Sequence, residues 1–192
     1  MANNIIDIVL DLETASLKPN AAIVQIGAYC NQTRVGFNHR ISLASYPTVD
    51  SADKFHVDAD TLDWWKLQPE DVRAYVFGGT DTIIDALKAF YRYVTSQAAS
   101  HSVTFNGVRM WGNGAAFDNV ILTNAYNSCG LKQPWSYRGD MCLRTLRNLA
   151  RDSNLPINVD SVQPHNALYD AMAQAETLAS ILRVMTLPVG AP

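Results

Sequence analysis

Three shortages set the first limits on what this chain can be. Charge is sparse: 17% of the 192 residues are Asp, Glu, Lys or Arg, and 15 basic residues face 18 acidic ones, for a formal net charge of −3. That excludes a protein that coats nucleic acid through an excess of Lys and Arg, but not an enzyme that grips phosphates through metal ions. Cysteine is sparse and odd in number. Cys30, Cys129 and Cys142 are scattered, no pair has close metal-ligand spacing, and a reduced, cytoplasmic protein is expected. Long apolar runs are missing. None approaches 18 residues, and no basic segment leads into an apolar stretch at the N-terminus, so no signal peptide, membrane span or membrane partner is expected. Internal repeats and low-complexity tracts are also lacking.

What is present is a hydrophobic fraction of 48%, enough to build one substantial core, so residues 1–192 are expected to form a single domain. The most informative stretch is Ile5–Thr14, IIDIVLDLET. It is nearly continuous apolar sequence, the mark of a strand buried on both faces. Asp11 and Glu13 stand at its C-terminal end, two residues apart and therefore on the same face. Two ionised carboxylates about 4 Å apart repel by roughly 4 kcal/mol at an effective dielectric of about 20. A divalent cation removes that repulsion, and Mg²⁺ favours oxygen ligands. The plain alternative is an Asp-x-Glu that ends a strand and enters a turn.

Further along, Ala21–Asn31 and Arg34–Leu43 read as two more strands joined by a short turn, completing an antiparallel meander. A short helix capped by Asp60 or Thr61 carries Trp64 and Trp65, and a second opens at Pro69 and runs through Tyr75. Thr80 or Asp81 caps a longer helix with Ile83, Ile84, Leu87, Phe90, Tyr91 and Val94 on one face. Residues 103–112 read as a strand, followed by the turn Gly112–Ala115 and a helix to about Ser128. Asp140 reads as the N-cap of a helix through Arg151, and a last helix runs from about Asn166 to Met185. The order implies an α/β fold with a mixed sheet.

Two further acids stand out. Asp118, in WGNGAAFD (Trp111–Asp118), falls in the first turn of a helix, where the macrodipole favours a negative charge without any catalytic role. Gly112 and Gly114 lack the third glycine of a dinucleotide loop and the lysine of a triphosphate loop. Asp170 follows His165 in HNALYD (His165–Asp170). Positions five apart differ by about 140° on a helix, so His165 should precede the helix with Asn166 as N-cap and Asp170 one turn inside. Alone, His165 reads as an ordinary loop histidine.

Taken together, Asp11-x-Glu13, Phe117-Asp118 and His165 with Asp170 resemble the DEDDh group of 3′→5′ exonucleases. The segments NAAIVQIG (Asn20–Gly27), DADTLDWW (Asp58–Trp65), WGNGAAFD and HNALYD look like the exonuclease VIII-like branch of bacteria and phages. The likeness runs from about Ile5 to about Leu182. One departure is that the asparagine many relatives carry four residues before the third acid is replaced by Gly114, with Asn113 beside it.

The resemblance implies a ribonuclease H-like mixed β-sheet flanked by helices. It implies that Asp11, Glu13, Asp118 and Asp170 hold two divalent ions, Mg²⁺ or Mn²⁺, and that His165 is the general base. Two ions about 3.5–4 Å apart can activate a water on one side of a phosphodiester and stabilise the leaving alkoxide on the other. An unperturbed imidazole titrates near 6.5, well placed to take the water's proton. Thr14 resembles a position that contacts the terminal nucleotide. Trp64, Trp65 and Phe117 are candidates to stack on a base, against the competing role of buried core. Since adjacent helical residues point about 100° apart, one tryptophan is expected inside and the other outside. Arg144, Arg147 and Arg151 recur at i, i+3 and i+7 and form either a phosphate track or a solvated basic face.

The expected activity is hydrolysis of phosphodiester bonds from a single-stranded nucleic-acid 3′ end, releasing nucleoside monophosphates. DNA is the expected substrate because the likeness is to the exonuclease VIII-like branch. The alternatives are an exoribonuclease of the same fold and a binding module with an inactive site. Dimeric relatives make a homodimer a further expectation.

Overall fold

The structure is a computed structural model that describes residues 5–46, 54–155 and 159–185. Five strands form one sheet: β1 (Ile6–Thr14), β2 (Ile23–Cys30), β3 (Gly36–Arg40), β4 (Val108–Gly112) and β5 (Asp140–Cys142), in the spatial order β3-β2-β1-β4-β5. The first three pair antiparallel as a meander, while β4 pairs parallel to β1 and β5 parallel to β4. The helices are α1 (Ala59–Lys66), α2 (Glu70–Phe77), α3 (Ile83–Ser100), α4 (Asp118–Ser128), α5 (Leu143–Asp152) and α6 (Ala167–Met185). No helix among the described residues is long and apolar enough to cross a membrane.

Burial on both faces explains the composition of β1. Ile6, Ile8, Leu10 and Leu12 enter the main core with Leu87 and Phe90 of α3 and Ile121 and Leu122 of α4. Val9 points the other way, into a smaller core with Tyr29, Trp111 and Ala171, Ala175 and Leu178 of α6. Asp7 shares that second face. It is buried, and Arg109 holds it through Nε (2.7 Å) and Nη2 (2.8 Å) while the Trp111 indole donates at 2.7 Å. Such pairing is the condition for a tolerated buried charge.

Gly27 decides where α6 meets the sheet. A Cβ on Gly27 would lie 2.1 Å from the main-chain carbon of Ala167, so only glycine allows the helix to start so close to β2. Gly27 is the register partner of Asp11. Two residues earlier Gln25, fully buried, accepts from the Ala167 amide (3.3 Å) and donates to Asn166 Oδ1 (3.2 Å). The first turn of α6 is thereby docked beside Asp11 and Glu13.

Several boundaries differ from those read off the sequence. Asp140 is not a helix cap. It opens β5, and its Oδ1 accepts from Asn119 (2.8 Å) and from the Trp135 indole (2.9 Å), while Cys142 takes the N-cap position of α5. Caps on α1 and α3 are Asp58 and Thr82, because these side chains reach amides two and three residues on, at 3.3 and 3.1 Å. The strand expected over 103–112 is shortened to β4 by a single 3-10 turn at Phe105–Gly107. Asn166 precedes α6 as expected, but its side chain turns to Gln25 and Gln163.

Candidate active site

The four acids come from three separate places in the chain and converge. Asp11 and Glu13 end β1, Asp118 is the first residue of α4 and Asp170 lies in the first turn of α6. One carboxylate oxygen each from Asp11, Glu13 and Asp170 lie within 4.8 Å of one another. Asp118 stands beside them, turned towards the Gly114 amide, which donates to its Oδ2 at 3.4 Å.

The electrostatics follow from burial and mutual repulsion. Burial is the largest cause of a raised pKa at every one of the four. Asp11 is raised well above the carboxylate range, with the charges of Asp118, Glu13 and Asp170 adding to the effect. Glu13 is pushed up to about 8, by burial first and then by Asp170 and Asp118. Asp118 rises to about 6, restrained by main-chain donors and by the positive charge of Arg144. Asp170 is raised by burial, opposed by the Ser161 side chain first and then by the main-chain amide and imidazole of His165. A site that holds four carboxylates in so little space demands positive charge, which is the chemistry of a hard divalent cation with oxygen ligands. The donor set thus fits Mg²⁺ or Mn²⁺.

His165 lies just before α6 in a left-handed conformation, φ 64°, uncommon for a residue with a side chain. Its amide donates to Asp170 Oδ2 at 2.9 Å. The ring is set against Trp64 and Trp65, edge-on, with centroid separations of 5.2 and 6.1 Å. The two tryptophans divide as expected: Trp65 is 3% exposed and Trp64 44%. The Trp65 indole donates to the carbonyl of Thr14 at 2.9 Å, which ties α1 to the end of β1. The Thr14 hydroxyl donates to the Ser16 carbonyl at 2.7 Å. A cleft of about 480 Å³ opens beside the acids, lined by Glu13, Thr14, Leu17, Trp64, Trp65 and Phe117 among others. The candidate residues therefore gather around the acids and the adjoining cleft, with Trp65 and Asp118 buried behind them.

Sequence reasoning missed Gln174. Its Nε2 donates to Asp11 Oδ1 at 2.7 Å, and its Oε1 is buried without a partner, an acceptor beside the acids. It lies four residues after Asp170, on the same helical face, which is the signal that could have found it. Gln25, which docks α6, was visible only as part of a longer motif.

The family model of the 3'-5' exoribonuclease Rv2179c-like domain matches residues 6–182. No curated protein matches the chain. Among solved structures, the nuclease domain of 3'hExo, a DEDDh family member bound to rAMP, is similar with a TM-score of 0.62 at 11% identity, over 95% of this chain and 94% of that one. The zinc-bound E. coli ExoI–ssDNA complex is similar with a TM-score of 0.60 at 14% identity, over 95% of this chain and 41% of that one. The chain thus spans about two fifths of exonuclease I and nearly the whole 3'hExo nuclease domain. At such identities the likeness shows the fold, the ribonuclease H-like architecture of DEDDh exonucleases.

Proposed function

The chain belongs to the Rv2179c-like family of 3'-5' exoribonuclease domains, and from that premise we propose that it is a metal-dependent exonuclease that removes nucleoside monophosphates from a single-stranded 3′ end. The observation that carries the reading is the cluster of Asp11, Glu13 and Asp170 within 4.8 Å, with Asp118 beside it. Asp11, Glu13, Asp118 and Asp170 would hold two divalent ions, which supply Lewis-acid stabilisation of charge on the phosphate and lower the pKa of the attacking water.

The chain's own groups do the rest. His165, fixed by its amide bond to Asp170 and by the tryptophan edges, receives the proton of the attacking water as general base. Gln174 orients Asp11 through the 2.7 Å bond, the kind of outer contact that aims a ligating carboxylate. The cleft beside Glu13 and Thr14 receives the terminal base, with exposed Trp64 and half-buried Phe117 as stacking surfaces.

RNA is the first substrate to test, since the family's description is of an exoribonuclease. DNA was expected from likeness to the exonuclease VIII-like branch, and the matching family is a different one, so DNA becomes the second substrate. The experiment is degradation of matched 5′-labelled RNA and DNA strands, single and paired, with Mg²⁺ or Mn²⁺ and with excess chelator. A ladder shortening from the 3′ end that chelator stops is the expected result. Binding without cleavage under all metals would instead identify an inactive binding module. Light scattering of the purified protein tests whether it is a homodimer, and the location of the native protein in fractionated cells tests the cytoplasmic setting.

A further inference from the structure

We propose that the arginine-bearing flank of α5 is a track for the phosphate backbone of a single-stranded polynucleotide, with Arg144 at the end near the acids and Arg147 and Arg151 beyond it. The proposal rests on the exonuclease reading and adds to it the path of the strand upstream of the cleaved bond.

The sequence of α5 divides its two faces. Leu143 and Ala150 are buried and Leu146 packs against the smaller core, while Arg144, Arg147 and Arg151 share one flank, the first and last exposed and Arg147 half-buried. Three arginines on one ten-residue helix are conspicuous in a chain of net charge −3.

The near end of this face is built onto the site. The Arg144 guanidinium lies across Gly114, so close that a Cβ there would come within 3.4 Å of its Cζ and Nη2. The Arg144 amide donates to the Asn113 carbonyl at 3.0 Å. Arg147 Nη1 donates to Asn113 Oδ1 at 3.4 Å. Both arginines are thus fastened to the turn that carries Asp118, and the Arg144 charge already acts on that carboxyl. Arg151, farther out, pairs with exposed Asp152 at 3.4 Å, a surface contact that a phosphate can displace at small cost.

The other wall of the site is the wrong chemistry for a backbone. The cleft at the end of β1 has Asp58 and Asp60 in its lining beside Leu17, Trp64 and Phe117. Apolar and aromatic groups suit a base, and carboxylates repel phosphates. The sheet order separates the two surfaces, since the cleft adjoins β1 whereas α5 follows β5, two strands away. The terminal base therefore sits at the β1 end, the scissile phosphate at the acids, and the preceding phosphates over Gly114 and along α5. From Arg144 to Arg151 the helix rises roughly 10 Å, enough to meet more than one phosphate of the same strand. Arginine forks match phosphate oxygens better than lysine would.

The test compares the wild-type chain with an Arg144→Gln/Arg147→Gln/Arg151→Gln variant on two probes. One is a 5′-fluorescein-labelled 12-nucleotide single-stranded RNA. The other is the p-nitrophenyl ester of uridine 5′-monophosphate, a phosphodiester with no upstream phosphates. Fluorescence anisotropy should show a Kd for the strand raised tenfold or more. The slope of log Kd against log salt should fall by about 0.7 for each arginine removed. With metal, kcat/KM should drop at least tenfold further on the strand than on the ester.

An Arg144→Lys/Arg147→Lys/Arg151→Lys variant keeps the charges and should keep most of the salt slope. Arg151→Glu, at the exposed far end, tests the track without disturbing the turn beneath Asp118, and should also weaken strand binding. An unchanged salt slope in both the Gln and Glu variants, or equal losses on strand and ester, overturns the track. If the wild-type chain cleaves neither probe, the exonuclease reading fails, while the anisotropy still decides the track.

Discussion

The main-chain amide of His165 donates to Oδ2 of Asp170 at 2.9 Å, so the proposed base and one proposed metal ligand are parts of a single local structure. The left-handed conformation at His165 turns the chain so that its amide faces the acid while its ring meets Trp64 and Trp65. A backbone strain of this kind costs of order 1–3 kcal/mol and persists where surroundings hold it.

His165→Ala should leave metal binding in place and slow cleavage by about 10²–10⁴-fold. Added imidazole, which can accept the water's proton from solution, should restore part of the variant's rate. Single-turnover rates at saturating metal, with and without imidazole, check this. A variant that keeps most of its rate makes His165 a bystander.

Asp11→Asn or Asp118→Asn should abolish turnover and leave the fold intact. Removing one charge from a crowded acidic site relieves repulsion, so the metal-free variant should melt at or above the wild-type temperature. The melting shift produced by Mg²⁺ should shrink in the variant. Full activity in either variant counts against a metal site at these acids.

Metal-free stability should fall as pH rises. Glu13 goes from an ordinary value of 4.5 to about 8 in the fold, so the folded state holds a proton that the unfolded chain has lost across that window. The stabilisation is complete below about 4.5 and disappears as pH rises towards about 8, with Asp11, Asp118 and Asp170 acting in the same direction. A bound cation takes over the proton's task, so Mg²⁺ should raise Tm more at pH 8 than at pH 5; at a hundred times its Kd it stabilises the fold by about 2.7 kcal/mol. Equal melting at both pH values in chelator would contradict the repulsion.

The two tryptophans should separate cleanly. Trp65→Ala opens a cavity in the core and leaves the Thr14 carbonyl without its donor, for a loss of about 3–5 kcal/mol in stability. Trp64→Ala should change Tm little and weaken strand binding by about 1–3 kcal/mol. Denaturant melts and anisotropy on both variants check the division. A large stability loss at Trp64 would move it into the core.

Gly27→Ala should be severe although it adds one methyl group. The new Cβ has main chain of Ala167 in its place, so α6 must shift away from β2 and carry Asp170 and Gln174 with it. Both Tm and cleavage should fall, and wild-type values for both would show that α6 accommodates the methyl.

Much of this was legible in sequence because it is local. An apolar run buried on both faces announces β1, a 3.6-residue apolar stripe announces α3 and α6, and the four acids and His165 stand in the order of the DEDDh group they resemble. Asp140 misled because a good capping residue and a three-residue strand look alike locally. Pairing with the open edge of β4 and two side-chain donors, Asn119 and Trp135, decided between them. The division between Trp64 and Trp65 follows from the helical period, but which one faces inward was decided by the Thr14 carbonyl waiting for a donor. Convergence itself belongs to tertiary structure. Only the parallel pairing of β4 with β1 and the close approach of Ala167 to Gly27 bring Asp118 and Asp170 to Asp11 and Glu13, and only there do burial and repulsion turn four ordinary carboxylates into a cluster that a divalent cation fits.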